Sequence, residues 1–388
     1  MISAPKYAWR LLRAGPLRLD GGSMFGVVPR ALWSREVPYD EQGRIEVAHN
    51  CLLLQRAVGD QSSIGVGSAP RTVSAALATS VSGERETSSS AAGALTGGKL
   101  PGAAEPPVRA PAALAMLSAD AAGSEWIVIE TGSGNKFDAK SRRIFGLSDY
   151  WIADALAEAG CRREDVTHAI VTHLHFDHAG GLTCHAAGGG PGAVPTFPNA
   201  IVYVHRREWE DALANNSVMT RTYLTENLEP IREQVRLIES PLPFPPGYHP
   251  RRNEPPLTSP QSRMTEILPG IRVLSVPGHT WGQQAVLFTD EQDRTVVFPA
   301  DLLPTIHHVG AAYNMAYDVE PYISTVTRRW FLEAAAANDW LLVLDHEPGN
   351  PCQRVKADGK GWFKLEAVNV GSGGSDRVAM ERQKEYRP

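Results

Sequence analysis

The chain has 388 residues, 43% of them hydrophobic and 21% charged, with a formal net charge of −5. This is enough apolar material for a real core in one large or two ordinary domains. The acidic balance gives no general attraction to nucleic acid or an anionic membrane, and no segment reaches the run of about 20 apolar residues that crosses a bilayer. Cys51, Cys161, Cys184 and Cys352 lie far apart without a CxxC pair. They read as buried thiols and not as a zinc knuckle or disulfide framework. The N-terminus, MISAPKYAWRLLRAG, is basic but lacks a signal-peptide apolar core, so the expected location is cytoplasmic.

In chain order, Gly21 to Pro29 reads as a glycine-flanked loop presenting Met24 and Phe25. Residues 45–47 and 51–54 read as two strands of a hairpin or meander. From 57 to 124 the chain is rich in Ala, Ser, Gly, Thr and Pro and nearly lacks aromatics. Such a segment buries too little to offset its own entropy and reads as an insertion. Residues 126–129 form a buried strand that runs into Glu130-Thr131-Gly132, and a helix capped by Ser148 extends to about Ala159. After the apolar run Ala169-Ile170-Val171 comes Thr172-His173-Leu174-His175-Phe176-Asp177-His178-Ala179-Gly180-Gly181. Downstream, the pattern predicts a strand over 201–204 and helices over 206–213 and 225–237. A Pro-rich surface connection follows over 241–262, then strands over 271–276, 285–288 and 295–298, a helix over 320–337, and a last strand over 341–344.

Three histidines and one aspartate within six residues point to a metal site, because imidazole nitrogen and carboxylate oxygen are the natural donors for zinc-like divalent ions. The two glycines that follow allow close backbone approach. Three further loops, each after a short apolar strand, carry His279, Asp301 and His346. One histidine after a strand is usually structural. Seven candidate donors at four strand ends are too many for that reading.

These residues resemble the metallo-β-lactamase superfamily. The likeness rests on THLHFDHAGG, PGHTWG, the Asp of PAD and the His of LDHE, in that order, and covers nearly the whole chain outside 57–124. Within the superfamily the motifs look most like the lactonase and organophosphate-hydrolase branch, as does the loop LDGGSMFGVVP. The resemblance implies an α/β, four-layer αββα sandwich as a single catalytic domain over 1–370, followed by a polar tail at 371–388. It also implies two divalent metal ions, zinc being the expected kind. His173, His175 and His279 would hold one and Asp177, His178 and His346 the other, with Asp301 and a hydroxide bridging them. Asp177 and Asp301 would serve catalysis as well as binding. Tyr223 is the candidate donor to the leaving group, with Tyr313 and Tyr317 competing. His307 and His308 could reach the pocket rim, and Met24, Phe25, Trp281 and Tyr317 could wall it. Two departures stand out: Glu130 where relatives carry Asp, and Ala300 where Gly is usual.

The expected partner is a small-molecule lactone or ester, with a homodimer as an option and neither nucleic acid nor membrane. The alternatives are a phosphotriester or phosphodiester hydrolase on the same site, a mononuclear iron sulfur dioxygenase and a non-catalytic binding protein. A flavodiiron reductase fits worse, since no flavin-binding domain follows and both His173 and His175 are present.

Overall fold

Alternation of apolar side chains along short strands gives the chain two sheets, each with two buried faces. The structure, a computed structural model, describes residues 4–56, 125–186, 192–214, 221–244 and 259–370. The chain divides into a main unit, residues 1–58 with 123–388, and a second unit, 59–122. The expected insertion and the 371–388 tail both lie outside the described residues, as does most of the Pro-rich connection.

The first sheet is built from β1 (Ala8–Asp20), β2 (Arg44–Arg56), β3 (Glu125–Ile129) and β4 (Val166–Ile170). A separate small pair follows, β5 (Thr183–His185) with β6 (Ala193–Pro195), and then β7 (Ile201–His205) and β8 (Val235–Ile238) complete the sheet in the order β1-β2-β3-β4-β7-β8. The second sheet runs in chain order through β9 (Thr265–Leu268), β10 (Ile271–Ser275), β11 (Gln284–Thr289), β12 (Thr295–Phe298), β13 (Leu341–Val343), β14 (Cys352–Ala357) and β15 (Phe363–Ala367).

The two-residue period of a strand explains the layers. Leu52, Leu54, Ile127, Ile129 and Ile170 meet Val273, Val286, Phe288, Val296 and Leu341 between the sheets. Their neighbours Leu53, Val128, Ala169 and Val202 point the other way, onto Ile152 and Leu156 of one helix and Trp209 of another. On the far side, Leu274, Leu287, Val297 and Leu342 pack against Trp330, Phe331 and Ala335 of the helix Pro321–Ala337. Each large side chain so buried contributes roughly 1.5–3 kcal/mol. The result is the expected αββα sandwich.

Strand directions bring the site to one edge. β3 and β4 are parallel, and β10 and β12 each pair antiparallel with β11, so they point the same way as each other. β13 is parallel to β12. Within each sheet, then, the strand ends that carry candidate donors lie at one edge.

Several expectations are corrected. The hairpin over 45–54 is a single 13-residue strand, β2, because His49 and Asn50 find buried partners and need no turn. The basic N-terminal stretch contains β1, whose alternating burial was hidden by its arginines. Residues Gly21–Phe25 form a short helix, capped by Asp20 accepting from Ser23 N, and its Met24 and Phe25 are core residues packed with Trp33 and Met315. The helix expected from Ser148 begins at Ile152, since Ser148 is spent on Tyr150. The helix expected over 225–237 breaks into Thr225–Leu228, a 3-10 stretch with Pro at its start, and strand β8, which β7 recruits as its parallel partner. Among the described residues no helix is long and apolar enough to cross a membrane.

Candidate metal centre

The contiguous ligand loop leaves β4 and turns at once into the helix Phe176–Ala179. The turn depends on glycine at two positions. A Cβ on Gly180 would fall on the Ser133 carbonyl and one on Gly181 on the Thr131 carbonyl, while Gly181 N donates to Gly132 O at 2.9 Å. Glu130, at the end of β3, then reaches the loop directly. Its Oε1 accepts from Thr172 N at 2.6 Å and its Oε2 from His178 Nδ1 at 3.0 Å. The longer carboxylate therefore does what the expected aspartate would do, fixing the ring so that Nε2 faces inward. Its backbone takes a φ of 66° to do so. Ala300 has a φ of 54°, in the left-handed region that glycine adopts without strain, which accounts for the glycine usual there.

The rings converge on Asp301. His279 Nε2 lies 2.9 Å from Asp301 Oδ2, His178 Nε2 3.6 Å and His173 Nε2 3.7 Å from the same oxygen, and His346 Nε2 3.3 Å from Oδ1. His175 Nδ1 lies 3.2 Å from His173 Nε2 and 2.9 Å from His279 Nε2. The outward ring nitrogens are committed elsewhere: His279 Nδ1 to Asp318 at 3.0 Å, His346 Nδ1 to the Ala48 carbonyl at 2.8 Å, and His173 Nδ1 to Thr172 Oγ1 at 3.1 Å. Two donor sets result, His173, His175, His279 and Asp301, and His178, Asp301, Asp345 and His346, each with its donor atoms within 4.8 Å of one another.

Six of the seven expected donors fall in these sets, with Asp345 in the second where Asp177 was expected. Asp177 stands slightly apart, its oxygens 3.9 Å from His178 Nε2 and 3.7 Å from His346 Nε2, and at 11% it is the most exposed side chain of the group. The set suits divalent ions. Among the described residues, His175 Nε2, His178 Nε2, His346 Nε2, Asp301 Oδ1 and Asp345 Oδ2 are buried without a hydrogen-bond partner. An unpaired buried polar atom costs about 1–3 kcal/mol, and a shared cation satisfies several at once.

Electrostatics divides the histidines. Burial, reinforced by neighbouring imidazoles, pushes His173 and His175 well below the ordinary histidine range, which keeps their lone pairs free. Burial also opposes charge on His178, His279 and His346, but carboxylates outweigh it. Glu130 and Asp301 lift His178, Asp301 and Asp318 lift His279 to about 10, and Asp345 and Asp301 lift His346 to about 9. Asp301 is itself held low against its burial by His279, His178 and His346.

Glu208 was missed by the sequence reading. It lies in the helix Arg206–Ala214, four residues before Ala212 and so on the buried stripe, which is the signal that could have found it. Its carboxylate is fully buried. Oε1 accepts from Leu174 N at 3.0 Å and Tyr223 Oη at 3.1 Å, and Oε2 from Thr280 Oγ1 at 2.6 Å. Leu174 sits between His173 and His175, and Thr280 follows His279, so one carboxylate ties two ligand loops together. Tyr223 is placed with its ring centroid 5.2 Å from that of His175 and its hydroxyl donating to Glu208. Asn50 does the same for the last loop, its Nδ2 donating to Leu344 O and Glu347 O at 2.8 Å each.

His308 is a core residue, bonded to Thr305 Oγ1 and Met24 O and stacked on Phe25. His307 instead lines a cleft of about 340 Å³ with Phe25, Glu36, Thr305 and Glu347. Tyr313 and Tyr317 pack against the cluster around Met24 and Phe25. All four cysteines are free and buried, Cys184 accepting from Arg163.

Residues 119–183 match the family model described as the Metallo-beta-lactamase superfamily. Over that segment the chain is similar to the metallo-beta-lactamase superfamily. Among curated relatives, an N-acyl homoserine lactonase of Bacillus sp is 29% identical over 178 residues, 46% of this chain and 55% of that protein. One of Bacillus thuringiensis is 27% identical over the same share of each. The match thus spans about half the length of these relatives. Among solved structures, a probable metal-dependent hydrolase from Staphylococcus aureus covers 95% of this chain and 100% of its own at 21% identity, with a TM-score of 0.61. AidC, a dizinc quorum-quenching lactonase in complex with a product, covers 96% and 97% at 15% identity, with a TM-score of 0.57. At these identities the structural likeness speaks for the metallo-β-lactamase fold.

Proposed function

We propose that this protein is a dinuclear metal-dependent hydrolase that opens a lactone or cleaves a related ester. The observation that carries the reading is the pair of buried donor sets sharing Asp301, with His178 Nε2, His346 Nε2 and Asp301 Oδ1 unpartnered among the described residues. His173, His175 and His279 would hold the first ion, His178, Asp177 and His346 the second, with Asp301 shared. Two divalent ions there, zinc being the expected kind, would lower the pKa of a water to about 7 and polarise the carbonyl oxygen. The chain's residues do the rest. Glu130, Asp318 and the Ala48 carbonyl orient three of the rings. Asp177, at 11% the least buried side chain of the donors, would take up or return a proton.

Burial, with Glu208 alongside, pushes the Tyr223 phenol far up, so it keeps its proton and serves only as a donor. To reach a leaving oxygen it must exchange Glu208 for substrate. Tyr223→Phe is expected to retain both ions and lower kcat about 10- to 100-fold if that exchange occurs; an unchanged kcat removes Tyr223 from the chemistry.

The lactonase relatives make acyl-homoserine lactones the first substrates to try. The metal-loaded protein should be screened against these, δ-lactones, aryl esters and phosphotriesters. Hydrolysis of a lactone or ester with two ions per chain is the expected result. A single iron with oxygen consumption on a persulfide would overturn the assignment.

A further inference from the structure

We propose that Asp345 is itself a donor at the second metal position, an inference that rests on the dinuclear reading above. A carboxylate oxygen of Asp345 lies within 4.8 Å of the donor atoms of His178, Asp301 and His346. Its two oxygens are in different situations. Oδ1 accepts from His346 N at 3.0 Å, whereas Oδ2, 4.0 Å from His346 Nε2, is buried and has no hydrogen-bond partner among the described residues. The facing atoms Asp301 Oδ1, His178 Nε2 and His346 Nε2 are in the same state. Four unpartnered donors, two carboxylate oxygens and two imidazole nitrogens, thus belong to one close-set group of residues.

Charge narrows the explanation. Asp301 and Asp345 are both buried within one donor set, and two such carboxylates repel unless a cation or a shared proton lies between them. A shared proton would satisfy the two oxygens and leave both imidazole nitrogens unpaired. A divalent ion satisfies all four at once.

The backbone holds Asp345 in place for this role. Asn50 N donates to its carbonyl at 2.8 Å, and Asn50 Nδ2 clamps the residues on either side of the Asp345-His346 pair. The side chain of Asp345 is 2% exposed against 11% for Asp177. Asp345 is then the inner, fixed carboxylate of the second position and Asp177 the outer one.

The test uses the full chain, stripped with a chelator and reloaded with Zn²⁺ or Co²⁺. Metal content is read by mass spectrometry and affinity by competition with a chromophoric chelator. The wild type should bind two ions. Asp345→Asn keeps the acceptor for His346 N but turns an amide toward the ion. It should keep the first ion and bind the second about 10- to 100-fold more weakly, with altered cobalt absorption bands. Circular dichroism of the metal-free variant checks its fold. Two ions at wild-type affinity with unchanged cobalt bands would overturn the role of Asp345. Fewer than two ions on the wild type would instead overturn the dinuclear reading. If the variant does not fold, a crystal structure of the zinc-loaded wild type decides. An Asp345 oxygen at about 2.0–2.2 Å from the ion supports the proposal, and one beyond bonding distance refutes it.

Discussion

The two halves of the chain supply the candidate metal centre in different ways. The first half delivers His173, His175, Asp177 and His178 on one loop, and two local features set that loop: glycines that admit the backbone of residues 131–133, and Glu130 at the end of the neighbouring strand. The second half delivers His279, Asp301, Asp345 and His346 from three loops, and long-range contacts aim them. Asp318 fixes His279, while Ala48 and Asn50 of β2 fix the last loop. A contiguous motif carries its own geometry, whereas a dispersed one borrows it from the packing of the sheets. Glu208 and Gln284 join the halves, the latter through Gln284 N to Thr172 O at 3.1 Å.

Asp301 belongs to both donor sets and gives the largest expected effect. Asp301→Asn should release both ions and leave turnover below about 1% of wild type, as measured by metal content and kcat. Retention of either ion would show that the two positions bind independently of Asp301.

Two conservative changes should then separate the positions. Glu208→Gln removes an acceptor from donors beside His173, His175 and His279, and should weaken the first position about 10-fold while leaving the second within about 3-fold. Glu130→Gln unties His178 and should do the reverse. Chelator competition on the two variants reads both affinities. Equal weakening at both positions in either variant would sink the idea that each position is aimed separately.

The smallest effect comes from outside both donor sets and serves as a control. Burial, with Arg328 nearby, pushes His308 down to about 3 from an ordinary 6.5. Between those values the unfolded chain takes up a proton that the folded one refuses. Its contribution to stability is thus complete above pH 6.5 and is lost as pH falls toward 3, by up to about 1.4 kcal/mol per pH unit. His308→Gln, compared with wild type in urea melts between pH 7 and 4.5, should show a shallower loss at unchanged metal content. An identical slope would mean that His308 accepts a proton in the fold.

The sequence by itself determined which residues could be donors and that they follow strands. The short apolar runs at 126–129, 271–276, 295–298 and 341–344 and the chemistry of imidazole and carboxylate are local properties, and local patterns survive in one dimension. The structure alone decided the rest. His49 and Asn50 interrupt an apolar run and read as a turn, yet β2 passes straight through them because Gly15 and Ser133 partner His49 and the residues around the last ligand loop partner Asn50. Residues 225–237 carry a helical pattern, but β7 offers a row of backbone partners that pulls 235–238 into a strand. Glu208 and Asp345 look like ordinary acids in the chain. What they do depends on donors and charges 34 to 72 and 44 residues away, from Leu174 and Thr280 to Glu208 and from Asp301 to Asp345. Such distances in sequence close only when the two sheets pack and exclude water.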